Sequence, residues 1–281
     1  MDPLSALAIL TAGFVAGTIN TIVGSGSLVT FPTLLALGYP PVVANITNTV
    51  GLVPGSVSGA VGYRRELAGQ RRRATRLGIA AGLGGLTGGI LLLVLPASAF
   101  ERIVPFLIIV ACVLVAVQPR LSREVADRRA RHVATAASGV PPATRPVSTG
   151  EGDGGVLLLL GVYLTAIYGG YFGAAQSVIL IAILAILIDD DLQRLNGLKN
   201  VLAAIVNGVA ALLFVVYPVL AAALGLPAAA RVDWAVAALI AIGAITGGQV
   251  GATIGRRMSP LVLRGAIIVV GAVVATKLLV G

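Results

Sequence analysis

Lys199 is one of only two lysines in the chain, and it stands among amides at the head of a long apolar run, NGLKNVLAAIVNGV, Asn196 to Val209. Asn196, Lys199, Asn200 and Asn207 fall at i, i+3, i+4 and i+11, which places them along one helical face. A buried cation ringed by amide donors suits an oxyanion. A neutral counterpart occurs earlier, in NITNTVGLVPGSVSG, where Asn45, Asn48, Thr49, Ser56 and Gly59 follow roughly helical spacing. Pro54 in that stretch is expected to kink its helix and free a carbonyl. Two small-residue breaks complete the set: GSGS (Gly24, Ser25, Gly26, Ser27) and GAAQS, which runs from Gly173 to Gln176 and Ser177. A half-helix that begins inside a membrane turns backbone N–H groups and its positive dipole end toward whatever lies beyond, and an anion is the natural occupant.

Each of these features also has a plainer role. Lys199 can snorkel back to Asp189, Asp190 or Asp191. The amide faces can join helices by hydrogen bonds, and the breaks can be kinks for tight helix contact.

The elements that must position these residues are membrane helices. Of 281 residues, 57% are hydrophobic and 11% charged, and the mean hydropathy is +1.00, a composition foreign to soluble domains. A hydropathy reading finds about ten apolar segments: Leu4–Val23, Ser27–Leu37, Val42–Tyr63, Leu77–Pro96, Ile103–Val117, Gly155–Tyr171, Ser177–Ile188, Leu192–Tyr217, Val232–Ile254 and Pro260–Val280. Ser27–Leu37 and Ser177–Ile188 reach only about half the bilayer core at about 1.5 Å per residue, and each follows one of the breaks. A transmembrane β-barrel would need short alternating segments, which are absent from the sequence.

The breaks fall at matching places in two halves. Gly13 answers Gly161, Gly24 answers Gly173 with a one-residue shift, and Thr87-Gly88-Gly89 answers Thr246-Gly247-Gly248. The expected fold is therefore an all-α polytopic membrane protein made of two inverted repeats of about five segments each, with half-helices near their interface. Residues 1–118 and 155–281 form the repeats, and 119–154, charged and then rich in Pro, Ser, Thr and Gly, reads as a loosely structured cytoplasmic linker. The arginines of 64–76, of the linker and at 256–257 place those segments in the cytoplasm, with both termini outside the inner membrane. The acidic opening MDPLSALAIL reads as a mature first helix rather than a signal peptide.

Several functions are disfavoured. The +9 net charge lies in loops, as membrane orientation requires, and does not point to nucleic acid. One cysteine, Cys112, and one histidine, His132, make a protein-built metal site improbable. The Gly84/Gly88 and Gly243/Gly247/Gly251/Gly255 ladders have helix-contact spacing and lack a phosphate-loop context. No Ser/His/Asp set lies within the membrane, so the reading is a non-enzyme without a cofactor. No Asp or Glu lies well inside an apolar run, which leaves proton coupling to the substrate's own titration, to Tyr168 or Tyr171, or to Lys199.

These motifs carry a resemblance. VGSGSLVTFP, Val23 to Pro32, is similar to the Gly-rich "GxGGGxxxxP" segment of the TauE/SafE family of sulfite exporters, with serines for two glycines; FGAAQSVILI, Phe172 to Ile181, is a degraded copy without the proline. The resemblance spans nearly the whole chain outside the central linker and implies transport of a small anion, often outward. The expectation is thus export of sulfite or a related sulfur oxyanion by alternating access, with the lipid bilayer as surroundings and a proton or sodium ion as the candidate coupling ion. The alternatives are an importer of sulfate, a sulfonate or a carboxylate, and a non-transporting membrane scaffold. A channel is disfavoured by the lack of any ring of repeated charges.

Overall fold

A computed structural model of the chain describes the backbone of residues 1–22, 24–137, 155–223 and 231–254, with a few isolated positions beyond. The segment expected at Pro260–Val280 lies largely outside the described residues, as does Lys277.

Among the described residues the fold is all-helical. Helix α1 is Pro3–Ile22, α2 Ser27–Ala36, α3 Pro41–Gly62, α4 Arg71–Val94, α5 Ala97–Ala137, α6 Gly155–Tyr171, α7 Gln176–Leu187, α8 Leu192–Ala223 and α9 Trp234–Ile254. Helices α1, α4, α5, α8 and α9 are long and apolar enough to cross a bilayer, so the protein is a polytopic membrane protein. Helix α3 matches them in length, but a run of Asn, Thr and Ser dilutes its hydropathy, and it continues unbroken through Pro54. With 10 and 12 residues, α2 and α7 are the expected half-spanning helices.

Local chemistry sets the helix starts. Asp2, Asp191 and Asp233 each accept a first-turn N–H: Ser5 to Asp2 Oδ1 at 2.6 Å, Gln193 to Asp191 Oδ1 at 2.8 Å and Val236 to Asp233 Oδ1 at 3.1 Å. Each carboxylate satisfies an orphan amide and faces the positive helix end. One difference from the sequence reading concerns 119–137. That stretch continues α5 as helix beyond the membrane-length portion Ala97–Arg120, instead of starting a loose linker.

Helix contacts come in matched pairs. Helix α1 lies on α9 as α6 lies on α4; α3 meets α9 as α8 meets α4; α2 bridges α1 and α3 as α7 bridges α6 and α8. The fourth helix of each half therefore lies against the first helix of the other, so neither half buries its helices alone. Glycine makes these crossings close. Gly84 backs onto the Tyr163 carbonyl and Gly88 onto that of Ile167, while Gly247 backs onto Phe14 and Gly251 onto Thr18. Given that Gly24 answers Gly173, Tyr163 answers Phe14 and Ile167 answers Thr18. Helix contact therefore matches Gly84 with Gly247 and Gly88 with Gly251, one turn away from the Gly88–Gly247 correspondence expected from the Thr-Gly-Gly triplets.

At one end, polar contacts bind the α3–α4 loop to the start of α8. Asp190 accepts from Arg73 at 2.7 Å and from Arg194 at 2.8 Å, Gln70 donates to the Arg194 carbonyl at 3.1 Å, and Arg194 reaches the Ala68 carbonyl at 3.1 Å. Burial alone would raise the Asp190 carboxyl, but hydrogen bonds from Arg73, the Asp191 amide and Arg194 outweigh it and hold it below the ordinary value of 3.8. A depressed folded value stabilises above the unfolded value and loses that stabilisation as pH falls through the depressed one. Asp190→Asn is accordingly expected to cost about 1–2 kcal/mol at neutral pH. Thermal melts of both proteins across pH should converge in the acid range; a pH-independent gap contradicts this assignment.

Candidate functional site

The two breaks are built alike. At the end of α1 the Gly24 amide donates to the Ile19 carbonyl five residues back at 3.1 Å, and at the end of α6 the Gly173 amide donates to Tyr168 at 3.2 Å. Both glycines have left-handed backbone, φ +85° and +79°, which glycine adopts without the strain of a side chain. Reversing the chain there lets α2 and α7 start inside the protein. Their dipole ends are partly satisfied: Leu28 and Val29 donate to the Ser25 and Gly26 carbonyls, and Gln176 and Val178 to those of Gly173 and Ala175. This leaves the Ser27 and Ser177 amides of the first turns without a backbone acceptor among the described residues.

The breaks meet. A Cβ on Gly24 would collide with the Ser177 side chain and lie 3.4 Å from Lys199 Nζ. Phe31 of α2 and Phe172 of the second break stack edge-on at 5.4 Å, and the Tyr168 hydroxyl donates to the Ala174 carbonyl at 2.6 Å, holding the loop.

Between them lies a small chamber of about 20 Å³ lined by Asn20, Gly24, Ser27, Asn48, Thr49, Leu52, Phe172, Gly173, Gln176, Ser177, Ala203 and Asn207. A second space of about 10 Å³ shares Asn20, Ser177 and Ala203 and adds Ser56 and Asn200. Ser56 ties three helices together. Its hydroxyl donates to the Leu52 carbonyl at 3.0 Å and accepts from Asn207 at 3.3 Å and Asn20 at 3.5 Å. On the other side Thr30 donates to Asn48. A water needs about 10–15 Å³, so these spaces admit roughly one or two waters and the chamber is closed around nothing larger.

Lys199 is 2% exposed. Among the described residues its ammonium has no hydrogen-bond or ion-pair partner: it reaches none of Asp189, Asp190 and Asp191, and Asp190 is engaged by Arg73 and Arg194. Two amide nitrogens close by, Asn200 Nδ2 and Gln176 Nε2, are buried and equally unpartnered. A buried cation and buried donors without acceptors cost several kcal/mol unless something accepts from them. A small oxyanion would supply that acceptor, with charge of the right sign.

Not every residue singled out from sequence reaches this chamber. Lys199 lines neither space and stands behind Gly24, which does line the chamber; Asn196 is half-buried and also lines neither, one turn beyond Asn200. Asn45 turns away to donate to the Tyr171 carbonyl at 2.9 Å, Ser25 is buried with a free hydroxyl outside the lining, and Gly26 lies against the Ala16 carbonyl of α1. Conversely, Asn20, which lines both spaces, escaped the sequence reading. Its signal was present: a lone amide deep in an apolar run, one helical turn before the Gly24 break.

Comparison with known proteins follows the same lines. The E. coli K12 "Probable membrane transporter protein YfcA" is 24% identical over 280 residues, 99% of this chain and 91% of that protein. A Haemophilus influenzae "Probable membrane transporter protein" is 35% identical over 126 residues, 44% of this chain, and the aligned part spans 49% of its length. A Sinorhizobium "Probable membrane transporter protein ORF9" is 27% identical over 113 residues, 40% of this chain and 43% of that protein. No solved structure matches. The family described as sulfite exporter TauE/SafE matches residues 9–278, and the chain, with its paired breaks in the matched region, belongs to that family.

Proposed function

We propose that the protein is a secondary transporter that exports sulfite or a closely related sulfur oxyanion across the inner membrane by alternating access. The observation that carries this reading is the buried, unpartnered Lys199 ammonium beside the Gly24 break, with Asn200 and Gln176 nitrogens awaiting acceptors. Lys199 neutralises charge; Asn20, Asn48, Thr49, Asn200, Asn207, Gln176 and the Ser27 and Ser177 amides donate hydrogen bonds. The chamber is too small for an oxyanion as it stands, which fits a closed state between two open ones. Matched helix contacts support an inverted repeat whose halves rock against each other. Segments 64–76 and 119–154 are cytoplasmic and both termini outside in this reading, with a proton or sodium ion as coupling ion.

The test is counterflow in proteoliposomes loaded with unlabelled anion. Internal sulfite should accelerate uptake of labelled sulfite, while sulfate, acetate and a sulfonate do so weakly. Acceleration by a carboxylate alone overturns the substrate, and acceleration by none of the anions overturns the transport of sulfur oxyanions.

A further inference from the structure

A third cavity shares no residue with the chamber. Helices α4 and α6 line a groove of about 840 Å³, with Arg72, Arg76, Ile79 and Leu83 on the α4 side and Leu160 and Tyr163 on the α6 side. Its α4 wall repeats at the helical spacing from Arg72 to Leu83, and its α6 wall does so from Val156 to Tyr163, so each helix gives one continuous stripe. The two ends differ in chemistry. Arg72 and Arg76, one turn apart, stand with Thr75 at the mouth, and everything beyond is apolar up to Tyr163, whose hydroxyl meets Thr87 at 3.2 Å to close the floor.

Depth decides what fits. Eleven residues from Arg72 to Leu83 rise about 16 Å, close to half the roughly 30 Å hydrocarbon core. The groove is thus one leaflet deep, with two cations at headgroup level and Ile79, Leu83, Val156 and Leu160 exposed along the acyl depth. Basic pockets between membrane helices at the cytoplasmic side are sites for anionic headgroups.

We infer that the α4–α6 groove binds one anionic phospholipid, its phosphate on Arg72 and Arg76 and an acyl chain along Ile79, Ala80, Leu83, Leu160 and Tyr163. The lipid braces α4 of the first half against α6 of the second, and α4 in turn meets α8, which carries Lys199. The site is independent of the proposed substrate, and the proposed orientation assigns only its leaflet.

The experiment is native mass spectrometry of the full chain released from micelles containing equal phosphatidylglycerol and phosphatidylcholine. Phosphatidylglycerol should be retained roughly tenfold or more over phosphatidylcholine. The Arg72→Gln/Arg76→Gln variant should lose the preference, whereas Arg71→Gln, outside the groove, keeps it. Ala80→Phe fills the groove without touching charge and should lower phosphatidylglycerol occupancy to the same extent, which keeps the test decisive if the double variant folds poorly. Glycerol phosphate in excess should not displace the lipid, because the tail holds it. Equal retention of both lipids, undiminished phosphatidylglycerol in Ala80→Phe, or full displacement by glycerol phosphate would each overturn the assignment.

Discussion

Replacing Lys199 with methionine is expected to abolish saturable sulfite flux while making the protein more resistant to heat. The two effects share one cause. The ammonium is buried without a partner among the described residues, so an empty chamber carries its desolvation cost uncompensated, and a methionine of similar length removes that cost. In the proposed anion-bound state the same ammonium provides the only fixed opposite charge among the described residues around the chamber. Truncating one member of a buried charge pair costs about 2–5 kcal/mol, which is a loss of roughly 30-fold to more than 1,000-fold in affinity. A lysine with a purely structural role would behave otherwise, because removing it would lower the melting temperature and leave flux per folded molecule intact. Arginine is not a substitute: its planar fork is bulkier than the ammonium, which is 2% exposed and packed beside Gly24.

The second large effect concerns the swapped helices. Leucine at Gly84 or Gly247 is expected to prevent assembly of the folded protein. A Cβ at Gly84 would lie 2.6 Å from the Ala166 Cβ, and one at Gly247 would lie 2.7 Å from the Phe14 carbonyl carbon, where carbon atoms prefer about 3.5–4.0 Å. Backbone is the obstacle at Gly247, so no rotamer relieves the clash, and the helices must separate. Overpacking typically costs about 1–3 kcal/mol for added methylenes that can be absorbed, and more when backbones are forced apart. Because each glycine faces the backbone of the opposing helix, both substitutions should lower monodisperse yield on size exclusion to a similar, near-complete degree. Leucine at Gly59, where a Cβ meets nothing within 4 Å, should be tolerated. Normal yield from Gly247→Leu would contradict the crossing.

Local chemistry made much of the fold legible. Gly24 and Gly173 announce chain reversals, the runs after them are too short to span, and the structure closes both breaks with the same five-residue-back hydrogen bond. The limits are equally physical. The Thr-Gly-Gly triplets suggested a repeat register one turn from the one helix contact selects, because a four-residue glycine ladder matches itself equally well after a slip of one turn. Charged residues after Arg120 resembled a linker, yet the backbone continues α5 as helix to Ala137, past its membrane-length portion.

The chamber shows the same division. Asn196 and Asn207 share a face, but eleven residues span about 16 Å of rise, and the closed space takes in only the stretch from Asn200 to Asn207. Periodicity identifies a stripe without saying how much of it a cavity uses. Asn20 was overlooked because it is a single amide, and only the approach of α1 to Ser56 and Ser177 gives it company.

The most direct test of the central claim is an anomalous difference map of the full chain with selenite, the selenium analogue of sulfite. A selenium peak is predicted in a widened chamber, with its oxygens in hydrogen-bond reach of Lys199 Nζ, the Ser177 amide and the Asn200 side chain, and the peak should vanish in Lys199→Met. A peak confined to surface arginines, or one unchanged in Lys199→Met, would contradict the account.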